Sequence, residues 1–220
     1  MVDYMGAIKK PFEDLTTLVI GIVIGIIPIV QLLNTGYGVL TAKKVLAGDK
    51  KLMAWDFGKI VDMIIAIIMV IIIVIVYSIP GTALALLGLA GAIGILLANV
   101  ANPLNAIGAI GTAIAAGGLF LLLAGLIWLV AILLLPMAIM NYAQKNSITA
   151  AFDLGTILKK TARVNYLVSL IVLVIYTIIL SIVAGIISLI PAVGALIAAG
   201  VLSFLLTVTG YSIMAETYSE

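Results

Sequence analysis

DMIIAIIMVIIIVIVYSIP, residues 62–80, opens on a carboxylate and then runs to proline without another Asp, Glu, Lys or Arg. Isoleucine, valine and methionine fill it with no alternation of apolar and polar positions, so the run reads as a helix surrounded by apolar matter rather than a half-buried strand. The uncharged stretch continues far beyond it. After Asp62 the next charged residue is Lys145, and a second uncharged stretch separates Arg163 from Glu216. One helix needs roughly 20 residues to cross a hydrocarbon core, so each stretch must turn back at least once. Only helices or a closed barrel satisfy the backbone in such a medium. Composition agrees: 65% of the chain is apolar and 9% charged, against roughly 45–50% and 25% in soluble domains. The fold class is all-α, a polytopic transmembrane helix bundle.

The start of the chain imitates a targeting signal, because Lys9 and Lys10 precede an apolar stretch. That stretch, 15–42, far exceeds a signal h-region of roughly 7–15 residues and ends in no small-x-small cleavage site, so it reads as retained. Cysteine and histidine are absent. Disulfides, thiolate chemistry and the commonest transition-metal ligands go with them, and neither a metal nor a cofactor is expected. The expected partners are the lipid bilayer and, through packing faces, a second copy or another membrane protein. Nucleic acid is not among them.

Lysine and arginine fall in three clusters: Lys9 and Lys10; Lys43, Lys44, Lys50, Lys51 and Lys59; and Lys145, Lys159, Lys160 and Arg163. Basic residues near span ends stay in the cytoplasm, so the second and third clusters share a compartment and an even number of crossings separates them. The simplest path leaves through 63–79, bends at Pro80 and returns through 119–140. Between these, Asn99, Asn102, Pro103 and Asn105 break the chain. The flanking pieces 82–98 and 104–117 then read as a thin hairpin or a re-entrant pair. Pro28 divides 15–42 into one kinked helix or a short re-entrant hairpin, and the charge rule favours the hairpin. Ile190-Pro191-Ala192-Val193-Gly194 separates 165–189 from 194–214, a hairpin of two full spans. The sum is about six crossings of the cell membrane, with basic loops and C-terminus cytoplasmic.

Two phrases match across this map: AWDFGKI at 54–60 and AFDLGTI at 151–157. Each precedes a long span that is followed by Ile-Pro, at Ile79-Pro80 and Ile190-Pro191. The order suggests one membrane domain over 1–220, duplicated in parallel, with halves near 12–100 and 104–215. Asp56 and Asp153 suit helix N-caps, where a carboxylate meets free amides and the positive end of the dipole. Trp55 and Phe152 suit headgroup depth. Gly58 and Gly155 would admit a neighbouring helix. In the second copy Ala151, Leu154, Ile157, Leu158 and Ala162 form a stripe opposite Asp153, Thr156, Lys159, Lys160 and Arg163, an interfacial amphipathic helix. A paired-carboxylate site is the weaker reading of the two aspartates.

No nucleophile-and-base set stands out, and all acidic residues fall in or beside predicted loops. Glu13-Asp14 after Pro11 reads as an acidic first helical turn. Neutral polar residues are the remaining resource: Asn34, Asn99, Asn102, Asn105 and Asn141 would line a path for a neutral solute. They would equally serve as interhelical hydrogen bonds of roughly 0.6 kcal/mol each, the favoured use. Gly21 and Gly25 make a GxxxG, and Ser181 and Gly185 a small-xxx-small pair, both read as helix packing within the chain.

Several short motifs carry a resemblance: Pro11-Phe12-Glu13-Asp14, Ile27-Pro28-Ile29-Val30, Gly36-Tyr37, Ala47-Gly48-Asp49, Trp55-Asp56-Phe57-Gly58, Tyr142-Ala143, Ala150-Ala151-Phe152 and Ile190-Pro191-Ala192-Val193-Gly194. Over almost the whole chain, 9–211, it resembles a family of prokaryotic, largely archaeal, integral membrane proteins classed as a domain of unknown function. The chain departs from that pattern at Met53-Ala54, where the family usually has Pro, and at Lys43 and Lys44, where Arg often follows the Gly-Tyr. The resemblance implies fold and location, and no activity. The expected function is therefore a non-enzymatic structural or accessory membrane component. A channel or carrier for a small neutral or lipidic solute is the alternative, and a lipid-modifying enzyme the least favoured.

Overall fold

The computed structural model describes residues 2–99 and 103–220, and among them every regular element is helical. In chain order the helices are α1 (Tyr4–Lys9), α2 (Leu15–Ile26), α3 (Leu32–Leu46), α4 (Ile60–Asn99), α5 (Pro103–Lys145), α6 (Leu154–Thr161), α7 (Val164–Ile187) and α8 (Gly194–Ser219). Four of them, α4, α5, α7 and α8, are long and apolar enough to cross a membrane. The chain divides into two units, one formed by residues up to Ile71 with Pro136–Glu220, the other by Ile72–Leu135.

The first unit is assembled on α8, which packs against α1, α2, α3 and α7. From Ser212 to Tyr218 every residue of α8 is buried. A stretch of helix with no exposed face is enclosed on all sides, and its polar groups must find partners there. Thr209 donates to the Tyr176 hydroxyl at 3.2 Å, and Thr217 lies 2.7 Å from Ser169 of α7. Around this axis Tyr37, Met63, Tyr176, Leu180, Phe204 and Val208 form the apolar core.

Small residues set how closely α2 approaches α8. A Cβ placed on Gly21 would lie 2.0 Å from the Phe204 ring, and one on Gly25 would lie 2.9 Å from the Gly200 Cα. The GxxxG pair is thus occupied within the chain. Ser181 is exposed and Gly185 has open space beside it, so this second pair faces away from the chain's own packing. Of the two expectations for 15–42, the structure has two short helices, α2 and α3, packed on each other and on α8.

Contrary to the expectation from the sequence, Pro80 does not end a helix. Pro80 lies inside α4, which joins 63–79 and 82–98 into one helix, and α5 likewise joins 104–117 to 119–140. Against the reading of about six crossings, the described residues have four helices long and apolar enough to span and one shorter apolar helix, α2. Proline removes one ladder hydrogen bond. Ending the helix in an apolar stretch would orphan several backbone groups, so continuing costs less. In this second unit Gly81 packs under Trp128, and Gly88 meets Phe120 and the Gly117 carbonyl. Gly81, Gly88 and Gly117 therefore bring α4 and α5, the arms of a helical hairpin, together, while Gly91, Gly94, Gly108, Gly111 and Gly118 have open space beside them.

Between α7 and α8 the turn carries Ala192 at φ 67°. This left-handed conformation costs a side chain with a Cβ roughly 1–2 kcal/mol, while glycine gives back part of that through its freer unfolded chain. Ala192→Gly is expected to stabilise the protein by about 1 kcal/mol or somewhat less. Thermal unfolding in detergent, followed by size exclusion, checks it.

Candidate functional site

The polar groups of the first unit gather where the loop after α3 folds over the start of α2. Gly48, at φ 92°, turns the chain out of α3. Leu52 then donates its amide to Glu13 at 2.8 Å, and Trp55 donates its amide to the Thr17 hydroxyl at 3.0 Å. Thr17 in turn donates to Asp14 at 2.5 Å, and Asp14 caps α2 by accepting from the Thr16 amide. The Tyr37 hydroxyl closes the clamp by donating to the Met53 carbonyl. Above it the Trp55 ring stacks on Tyr37 with centroids 4.9 Å apart, and Tyr37 continues to Phe204 at 5.9 Å. Trp55 is half-buried in this stack, and its indole nitrogen has no hydrogen-bond partner among the described residues.

The repeated phrase builds two local caps. Asp56 accepts from the Gly58 amide at 2.8 Å at the head of a short 3-10 turn leading into α4. Asp153 caps α6, accepting from the Thr156 amide at 3.1 Å and its hydroxyl at 2.7 Å, with the Lys145 ammonium at 3.5 Å. The Thr156 hydroxyl, ahead of the Thr156 amide and Lys145, holds the Asp153 carboxyl below the ordinary carboxylate range. Each aspartate serves its own helix. Gly58 and Gly155 do not admit a neighbouring helix: the atoms nearest a Cβ there are the cap carboxylates, at 3.1 and 3.6 Å. Their place is the turn beneath the cap, where chain geometry rather than helix crossing sets the space. Phe152, at the end of the preceding 3-10 turn, is half-buried. On α6, Ile157 is buried while Leu154 and Leu158 are exposed.

The two buried asparagines tie different helices together. Asn34 is buried and donates both to the Gly21 carbonyl at 3.0 Å and to the Ser203 hydroxyl at 3.1 Å, stapling α3 to α2 and α8. Asn141, fully buried, donates to the Ala150 carbonyl at 2.8 Å and accepts from the Tyr218 hydroxyl at 2.8 Å. It ties the end of α5 to the 148–152 turn and to α8. Asn99 donates back to the Ile95 carbonyl in the last turn of α4, Asn105 is exposed on α5, and Asn102 lies outside the described residues.

Sequence reasoning missed the charge pairing under α1. Glu216, a buried residue of α8, accepts from the Asp3 amide at 2.7 Å and from Lys50 at 3.3 Å. Beside it Lys10 is only 2% exposed, and its ammonium has no hydrogen-bond partner among the described residues. Burial pulls the Lys10 pKa below 10.5, against the opposing pull of Glu216 and Glu13. Nothing local in the sequence marks this cluster, because residues 3, 10, 50 and 216 meet only in the fold. A cavity of about 310 Å³, lined by Gly48, Lys50, Glu216 and Ser219 among others, opens next to it. Among the described residues no group of three or more acidic side chains is placed to hold a metal ion.

A lysine with a lower pKa in the folded than in the unfolded chain binds fewer protons when folded, so stability rises as pH climbs through the folded value toward 10.5. Lys10→Met is expected to raise stability at neutral pH by about 1 kcal/mol and to flatten that alkaline rise. Unfolding in detergent at pH 7 and pH 10 tests both.

The basic clusters meet at this same end of the unit. Lys43 donates to Asn146 at 2.6 Å, Lys145 pairs with Asp153, Lys50 pairs with Glu216, and Lys160 donates to the Tyr218 carbonyl while lying over its ring. What the arrangement does chemically is hold: carboxylates and hydroxyls fix the first residues and the 47–59 loop to α8. No curated protein and no solved structure gives a significant match to the chain. Residues 19–189 match the family model described as a protein of unknown function, DUF4013, and the chain belongs to that family.

Proposed function

We propose that the protein is a multi-pass component of the cell membrane with a structural or accessory role and no catalytic step of its own. One observation carries this reading. The two buried asparagines best suited to line a solute path, Asn34 and Asn141, are engaged in tying helices together. The carboxylates of the site are engaged in the same way, as caps and as acceptors for the N-terminal segment. The gathering of lysines at one end of the first unit supports placing that end, with the residues after α8, on the cytoplasmic side.

The test is extraction in mild detergent together with reconstitution into vesicles. Recovery of a defined complex with another membrane protein, and no flux of small neutral solutes or lipid above protein-free vesicles, is the expected result. Robust flux that disappears when Asn34 or Asn141 is replaced, in variants that still fold, would overturn the reading in favour of a carrier.

A further inference from the structure

Helix length raises a question that crossing alone does not answer. At 1.5 Å per residue, α7 and α8, with 24 and 26 residues, are about 36 and 39 Å long. These suit a hydrocarbon core of about 30 Å with modest tilt. Helices α4 and α5 have 40 and 43 residues and are about 60 and 65 Å long. Even a tilt of about 40°, the upper end of the common range, accommodates only about 39 Å. Some 20 Å or more of each helix is left over.

Within the second unit the level at which a straight crossing would end is marked. Trp128 of α5 donates its indole N–H to the Ser78 carbonyl of α4 at 3.4 Å, next to Tyr77 and Pro80. Asp62 to Ser78 rises about 24 Å, and Trp128 to Lys145 about 26 Å. Aromatic residues with a polar tip collect at membrane boundaries. Beyond this level the hairpin stays uncharged, and its exposed surface runs on without a polar face. Leu86, Leu87 and Leu89, which spread over about 160° of α4 on the side away from Gly88 and its contact with Phe120, are each at least 56% exposed, and Ile107 and Ile114 on α5 are 80% and 70% exposed. Below the Trp128 level Ile75 and Leu129 are exposed to a similar degree, 55% and 57%. A second copy or a water-soluble partner would cover one face and leave the others bare, because a helix made for one partner has one apolar stripe. Hydrocarbon covers every face at once.

We propose that the distal part of the hairpin, 83–99 with 105–121, lies inside the bilayer, reached by bending at the joint formed by Pro80, Gly81 and Trp128. The inference rests on the membrane-spanning reading above. Pro80 supplies no amide to the helix ladder, and Gly125, one turn from Trp128 on α5, has open space beside it. Sharp bends in helices occur at such residues. In this position acyl chains would fill the apolar groove of about 520 Å³ between the distal arms, lined by Leu86, Leu89, Leu96, Ile110, Ile114 and Leu121 among others.

The chain has no cysteine, so single cysteines carry spin labels without background. Labels at Leu87 and Ile114 are compared with labels at Ile75 and Leu129, in the full chain reconstituted into phosphatidylcholine–phosphatidylglycerol vesicles. The expected result is that the distal labels collide with oxygen and are protected from a water-soluble nickel complex, as the proximal pair are. Distal labels relaxed by nickel would place the hairpin in water and overturn the inference while leaving the crossing itself intact. Distal labels shielded from both reagents would mean that protein covers them, and would overturn it equally. Nickel relaxation at Ile75 and Leu129 as well would remove the membrane-spanning reading and this inference together.

Discussion

Replacing Asn141 by leucine is expected to cost about 2–6 kcal/mol of stability, because two buried partners lose their hydrogen bonds together. The Ala150 carbonyl and the Tyr218 hydroxyl both depend on this one amide. Each, left unsatisfied away from water, costs about 1–3 kcal/mol. Tyr218→Phe removes one of the two contacts without enlarging a side chain and is expected to cost about 1 kcal/mol. Unfolding of both single variants and of the double variant, in detergent, gives the coupling directly. If Asn141 serves as a staple, the double variant loses less than the sum of the two, because the Asn141–Tyr218 bond is counted in both. An Asn141→Leu protein as stable as the parent would show that the network adds nothing.

Gly200→Val should be comparably severe for a different reason. A Cβ at Gly200 would stand 2.3 Å from the Ile22 carbonyl oxygen, a backbone atom that cannot rotate aside. Separating α2 from α8 to make room also loosens the contacts of Gly21 and Gly25 with Phe204 and Gly200. Overpacking of this kind costs about 1–3 kcal/mol and more where backbone must move. Gly185→Ala is the control: with open space beside the residue, the change is expected within about 0.5 kcal/mol of the parent. Thermal unfolding of the three proteins in one detergent, with retention on size exclusion, separates a packing defect from general intolerance of added side chains.

The features legible in the sequence are those that depend on near neighbours in the chain. The carboxylate of Asp153 three residues ahead of Thr156 defines its cap, and Ile190-Pro191 marks the turn between α7 and α8. An uncharged run identifies an apolar environment from composition alone. Pro80 misled because its local preference is to break a helix, while the surroundings penalise a broken backbone more. The two Ile-Pro pairs are accordingly unlike: Pro80 sits within α4 and Pro191 in a turn. Gly21 and Gly25 were recognisable as a packing surface, but their partners lie on α8, more than 170 positions along the chain. Glu216 looked like a loop acid for the same reason, since its partners Asp3 and Lys50 become visible only in three dimensions. Trp55 has two uses for one ring, and stacking on Tyr37 became visible only once loop and helix were brought together.

The enclosure of α8 bears on the order in which this molecule consolidates. Helices α1, α2, α3 and α7 all leave the ribosome before α8, and all of them rest on it. Until it arrives, the groove at Gly21 and Gly25 has no Phe204 to receive, and the Asp3 amide has no carboxylate to cap it. Until then these segments lack most of their packing partners. Most of the packing of the first unit thus joins residues far apart in sequence through a single helix, the kind of topology that folds slowly.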